Sequence, residues 1–199
     1  HRRMLMRKER DPDRYKIYGL GEWGEVGGLI LPKFKVHEFA TDFEYFDTMN
    51  HSQDFGYNHA NVILTLGIKD GRELFVCDEI YVHERDTQEI IEIADEKKLN
   101  KSLVMYCDSA EPDRIKMWKK AGYRAKGVKK KQGSVKAQID FLKQMNIHIH
   151  PRCVNTIKEI QQWKWKKDEK LNMYTDEPVD VFDDAMAALR YGVEGARRP

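Results

Sequence analysis

The sequence has no apolar run long enough to cross a bilayer, which takes about 20 residues. It shows no secretory signal, and His1-Arg2-Arg3 looks like an artificial boundary, not a mature start. Cysteine is scarce: Cys77, Cys107 and Cys153 are odd in number, widely spaced and form no CxxC pair. That argues against a disulfide framework or a metal knuckle and for reduced core residues in an intracellular protein. A large excess of either charge is also missing, since 35 basic and 33 acidic residues leave a formal net charge of +2. Any electrostatic role must therefore come from local distribution. Nucleotide signatures are present only in fragments. Gly19, Gly21 and Gly24 satisfy GxGxxG, but Gly27-Gly28 and Pro32 interrupt the helix that a dinucleotide site needs. The glycine-bounded stretch from Gly127 to Ser134 lacks the GK[ST] ending of a phosphate loop. Asp54-Phe55-Gly56 matches a kinase metal motif without its catalytic loop. No ATPase site is expected in this chain.

What is present reads as one domain with an extra segment. Residues 1–32 begin with a charged run and continue glycine-rich, with the composition of a linker carrying one short strand. Residues 33–199 carry regular patterning. Strands are expected over Tyr45 to Gln53, Asn61 to Ile68 and Glu73 to Val82, the last two joined by Asp70-Gly71. Then come a helix from Thr87 to Leu99 capped by Asp86 or Thr87, a buried strand Leu103 to Cys107 and a helix Pro112 to Ala121 stopped by Gly122. A short strand near Val128, a helix Ser134 to Met145, a strand Ile147 to His150 and a helix Val154 to Trp163 follow. A hairpin over Trp163 to Tyr174 precedes the last helix, Val181 to Glu194, with Asp180 as its cap. Three antiparallel strands followed by alternating helix and strand give an α/β fold of ribonuclease H-like (resolvase/integrase-type) order, a mixed sheet flanked by helices.

In that order the strands ending at Asp54 and Asp108 are parallel neighbours, and both open on the sheet edge where α/β ligand sites lie. An acid at the end of a buried strand is costly to ionise without a positive partner. A helix across the edge adds Asp183 or Asp184. These two are about 100° apart on a helix, and periodicity does not choose between them. The apolar stripe Phe182, Met186, Leu189 and Val193 is bordered by Asp183, whereas Asp184 shares its side with Ala187, Ala188 and Tyr191. An all-oxygen cluster of this kind suits Mg²⁺ or Mn²⁺, and two such ions would support phosphodiester hydrolysis.

Between Arg114 and Ile139 there is no acid but ten lysines and arginines. Lys129, Lys130 and Lys131 lead to a helix start at Ser134, where free N–H groups also favour phosphate. This is a face for a polyanion backbone with no sign of base-specific reading. Lys164 and Lys166, on the hairpin just before the acid-bearing helix, extend it. His148 and His150 would share one strand face, with no third ligand to make a zinc site.

Asp54-Phe55-Gly56-Tyr57, Cys107-Asp108-Ser109-Ala110-Glu111-Pro112, Lys131-Gln132-Gly133-Ser134-Val135 and Glu177 to Tyr191 together resemble the C-terminal nuclease domain of tailed-phage terminase large subunits. Tyr18 to Gly24 is similar to the segment leaving the ATPase motor of those proteins, so that residues 1–32 would be the linker from that motor and 33–199 the nuclease domain. The resemblance implies a divalent-metal-dependent endonuclease that cuts concatemeric viral double-stranded DNA during genome packaging. Its partners would be the motor, the small terminase subunit and the portal, at the procapsid in the host cytoplasm, with no membrane involved. Carried over by position, Asp54, Asp108 and Asp184 match the catalytic metal-binding acids. Relatives often have Asn before the third position and Asp three residues after it; Asp183 and Ala187 stand here, so Asp183 would share the third role. The competing expectations are a junction resolvase or ribonuclease H of the same fold, and a catalytically silent DNA-holding module.

Overall fold

The computed structural model describes residues 28–129, 131–181 and 183–194. The GxGxxG stretch, most of the expected linker, Lys130 and Phe182 lie outside them. Seven strands make one sheet in the order β1-β7-β4-β3-β2-β5-β6. They are β1 (Phe34–Val36), β2 (Thr48–Asp54), β3 (Asn61–Lys69), β4 (Glu73–Val82), β5 (Val104–Cys107), β6 (Arg124–Gly127) and β7 (Asn146–Ile149). β3 runs antiparallel to both its neighbours, and the remaining pairs are parallel. Among the described residues, five helices flank the sheet: α1 (Thr87–Glu96), α2 (Pro112–Lys120), α3 (Ser134–Leu142), α4 (Val154–Ile160) and α5 (Asp184–Gly192). A separate hairpin pairs β8 (Trp165–Asp168) with β9 (Met173–Pro178). This is the mixed, helix-flanked sheet that the strand and helix order implies.

Alternation along β3 sorts its side chains to two cores, as the period of two requires. Val62, Leu64 and Leu66 join Ile139, Leu142, Ile160, Met186 and Leu189 from α3, α4 and α5. Ile63 joins Ile90, Ile91, Ile115 and Trp118 from α1 and α2 on the other face. Ile30 and Leu31, at the end of the expected linker, are buried in the first of these cores. Asp70 and Gly71 both take positive φ in the β3–β4 turn, the conformation an Asp-Gly hairpin supplies. Asp86 and Glu89 form a reciprocal capping box at the start of α1.

Some boundaries differ for identifiable reasons. Phe43–Tyr45 is a 3₁₀ turn, so β2 begins at Thr48. β6 ends at Gly127, one residue before the expected centre. β1 is absent from the expected elements, because an alternation confined to Phe34, Lys35 and Val36 is too short to mark a strand. α5 begins at Asp184 with Asp183, not Asp180, at the N-cap, and β9 extends to Pro178.

Gly56 follows Asp54 in the turn that leaves β2. A Cβ there would press into the backbone carbonyls of His59 and Ala60, which cannot swing aside as a side chain can. Gly56→Ala should therefore destabilise the protein by about 1–3 kcal/mol in urea unfolding; an unchanged midpoint would show that this turn does not need the close approach.

Candidate metal centre

β2 and β5 are parallel neighbours with Gln53 opposite Cys107. The pairing continues one step further, the Asp108 N–H donating to the Gln53 carbonyl at 3.2 Å. Asp54 and Asp108 therefore leave the sheet side by side at one edge. α5 lies across β2, β3 and β5 and brings Asp184 and Asp183 to the same place. Almost every side of this helix is buried, including Ala185 to Leu189, Tyr191 and Gly192. That explains why a single apolar stripe could not orient it.

Each acid has a distinct setting. Asp108 Oδ1 accepts from the Ala110 N–H at 2.8 Å, and Oδ2 accepts from the Tyr191 hydroxyl at 3.3 Å. Asp184 Oδ2 accepts from the Ala60 N–H at 3.4 Å. Asp183 makes no side-chain capping bond to its own helix. Asp54 is pushed up to about 8, first by burial and then by the charges of Asp108 and Asp184; Arg190 opposes the shift and Asp183 adds to it. Asp183 is raised too, by burial and then by Asp184. Asp184 thus acts on Asp54 more strongly than Asp183 does. Tyr191 is kept protonated by burial and by Asp54 and Asp108.

Among the described residues, no three His, Cys, Asp or Glu side chains stand so that they would hold one ion as placed. The acids nevertheless fit a divalent cation in chemistry. They are hard oxygen donors at one sheet edge, and burial with their mutual repulsion holds Asp54 far above the ordinary carboxylate range. A nearby counter-charge is Arg190, which opposes the shifts of both Asp54 and Asp183. Its Nη1 donates to Gln138 Oε1 at 3.1 Å, while its buried Nε has no hydrogen-bond partner among the described residues.

The basic loop leaves the same edge. Gly127 is opposite Cys107, and the Val128 N–H donates to the Cys107 carbonyl at 2.9 Å, so Lys129 and Lys131 follow beside the Asp108 turn. Both lysines are exposed, and Ser134 opens α3 half-buried. Lys164 and Lys166 stand on the hairpin, Lys166 between Asp180 at 3.0 Å and Glu177 at 3.6 Å. Part of the positive charge expected of the hairpin is thus met within it. His148 is not poised for metal: Nδ1 meets His37 Nε2 at 2.8 Å, Nε2 meets Glu73 at 2.7 Å, and its ring stacks on Phe75. The three cysteines are free and buried.

Sequence reading did not single out Arg190, Ala60 or Glu159. Glu159 is 3% exposed, and its Oε2 accepts from the Ala185 N–H at 2.7 Å and the Met186 N–H at 3.3 Å, at the start of α5. The available signal was an acid set between Thr156 and Ile160, the other buried residues of α4.

Asp54 is raised in the folded protein, so folding favours its protonated form. That contribution is complete below the unfolded value near 4 and is lost as pH rises through about 8. In EDTA, Asp54→Asn should melt several degrees above the parent at pH 8, with the gap closing towards pH 4. A gap that stays constant with pH would remove the charge repulsion from the account.

The sequence model of the family described as "Terminase RNAseH like domain" matches residues 54–195. The PBSX phage terminase large subunit of Bacillus subtilis (strain 168) is 29% identical over 205 residues, covering 94% of this chain and 45% of its own length. The chain thus spans less than half of that relative. Among solved structures, the g2p (large terminase) nuclease domain of bacteriophage SPP1 with bound Mn superposes with a TM-score of 0.73 at 22% identity, covering 82% of this chain and 96% of that one. The large terminase of a thermophilic bacteriophage gives 0.65 at 19% identity, over 94% of this chain and 51% of its own. With the family match spanning well over half of the sequence and the sheet order of a ribonuclease H-like fold, this chain belongs to the terminase RNase H-like domain family.

Proposed function

We propose that this chain is a divalent-metal-dependent endonuclease that hydrolyses phosphodiester bonds of concatemeric viral double-stranded DNA during genome packaging. The observation that carries the reading is the meeting of Asp54, Asp108 and Asp184 at one sheet edge, with Asp54 pushed up to about 8 by burial and by the other two. Asp54, Asp108 and Asp184 would hold Mg²⁺ or Mn²⁺, two ions in all, with Asp183 sharing the third position. Bound there, divalent metal supplies water activation and charge stabilisation of the leaving oxygen. The chain's own groups do the rest. Tyr191 fixes the orientation of Asp108 through its hydroxyl. Ala60 fixes Asp184. Arg190 offsets charge on the side of Asp54 and Asp183.

Lys129, Lys130, Lys131 and Ser134 would take the DNA backbone beside the acids, and Lys164 and Lys166 would take it from the hairpin. The bound Mn of the SPP1 nuclease domain supports the choice of metal. The length of the relatives supports a longer parent protein, with residues 1–32 as the link from an ATPase motor and with small terminase and portal as partners. Its place of action would be the host cytoplasm at the procapsid. Among the described residues, no helix is long and apolar enough to cross a membrane.

Asp54→Asn, Asp108→Asn and Asp184→Ala should each abolish Mn²⁺-dependent plasmid cutting while leaving the fold intact, and Asp183→Ala should reduce it less. Normal cutting by the Asp108 variant would sink the assignment. If all variants and the parent bind duplex but none cuts, the chain is a DNA-holding module.

Changing Lys129, Lys130 and Lys131 together to Glu should weaken duplex binding equally across unrelated sequences. It should also flatten the slope of log K against log[salt] by roughly 1 for each phosphate no longer neutralised. Unchanged anisotropy titrations would return the loop to a solvated surface.

A further inference from the structure

We infer that Glu159 is a positioning residue for the site acids: it caps α5 from another helix, and so releases Asp183 towards the metal edge and sets the point where Asp184 begins the helix. The inference rests on the metal reading above. An aspartate at an N-cap ordinarily turns back to accept from the second or third N–H of its own helix. In α5 those donors belong to Ala185 and Met186, and both are taken by Glu159 Oε2, at 2.7 and 3.3 Å. Asp183 stands at the N-cap and makes no such bond. A cap was therefore available locally and is not used.

The substitute cap is held rigidly. Glu159 Oε1 accepts from the Tyr81 hydroxyl of β4 at 2.8 Å. Two residues before Tyr81, on the same face of β4, Glu79 does for α4 what Glu159 does for α5. Its oxygens accept from the Asn155 and Thr156 N–H groups, both at 2.8 Å, and from the Thr156 hydroxyl at 2.7 Å. The N-cap of α4, Cys153, makes no side-chain capping bond; its Sγ donates to the Val76 carbonyl instead. A chain of contacts thus runs from β4 through Glu79 to α4, and through Glu159 to the first turn of α5. It fixes the helix that carries Asp183 and Asp184 relative to the sheet that carries Asp54 and Asp108. Placing a further buried carboxylate beside four acids is costly. A role limited to capping would be filled more cheaply by Asp183 itself.

The test is Mn²⁺ titration calorimetry without DNA, with amide hydrogen exchange at Ala185 and Met186. Glu159→Ala should weaken Mn²⁺ binding by about 10-fold or more, in the range of supporting residues around metal ligands, and should speed exchange at both amides. Glu159→Gln keeps a carbonyl acceptor and should stay close to the parent. Asp183→Asn should weaken Mn²⁺ binding in the parent but add nothing in the Glu159→Ala background, where Asp183 has turned to cap its own helix. A folded Glu159→Ala protein with the parent's Mn²⁺ affinity would overturn the inference and leave Glu159 a fold cap alone. If Glu159→Ala does not fold, Glu159→Asp decides: its shorter reach must weaken Mn²⁺ binding, and parent affinity overturns the inference. A parent that binds no Mn²⁺, or an Asp54→Asn variant that binds it equally well, overturns the metal reading and this inference with it.

Discussion

Repulsion among carboxylates at the C-terminal edge of β2 and β5 is the constraint on which the rest of the molecule turns. Asp54 sits where burial and two neighbouring charges hold its proton to about pH 8. A fold selected for stability alone would not gather Asp108, Asp183 and Asp184 around it. The cost is met by the scaffold: two cores on opposite faces of the sheet, and a helix, α5, buried on nearly all sides. Stability built into the sheet and helices leaves the edge free to be electrostatically unfavourable, which is where function commonly departs from the stability optimum.

The acids reach the edge by different routes, and this division gives the site its rigidity. Asp54 and Asp108 are fixed by strand register, which a buried two-faced sheet specifies strongly. Asp183 and Asp184 arrive on a helix whose rotation has no register to set it. Contacts from elsewhere do that work: Ala60 on the Asp184 carboxylate and Glu159 on the first turn. The basic loop after β6 leaves the sheet one strand away from Asp108, so a basic surface and the acid cluster share one edge.

Much of this was legible in the sequence because it is local. The apolar run from Leu103 to Cys107 ending in Asp108, the Asp70-Gly71 turn, the Asp86–Glu89 cap and the basic stretch after Arg114 each carry their meaning within a few residues. The strand order that makes Asp54 and Asp108 neighbours followed from the succession of elements. What was not legible depends on distant partners. β1 is too short for its Phe34-Lys35-Val36 alternation to mark it, and it exists because β7 offers it an edge. The start of α5 at Asp184, three residues beyond the expected start at Val181, is set with a carboxylate on α4, which no window around Asp180 contains. Periodicity does not choose between Asp183 and Asp184 because the helix has no single buried face; the charge of Asp184 bears more on Asp54 than that of Asp183 does, which only the tertiary arrangement decides.

Divalent metal, on this proposal, is what these acids meet on. A crystal of the protein soaked in Mn²⁺, with anomalous diffraction collected at the manganese edge, tests it most directly. Anomalous density is expected at the end of β2 and β5, in contact with Asp54, Asp108 and the first residue of α5. Saturating Mn²⁺ with no density at that edge, in a crystal whose acids are free of lattice contacts, would contradict it.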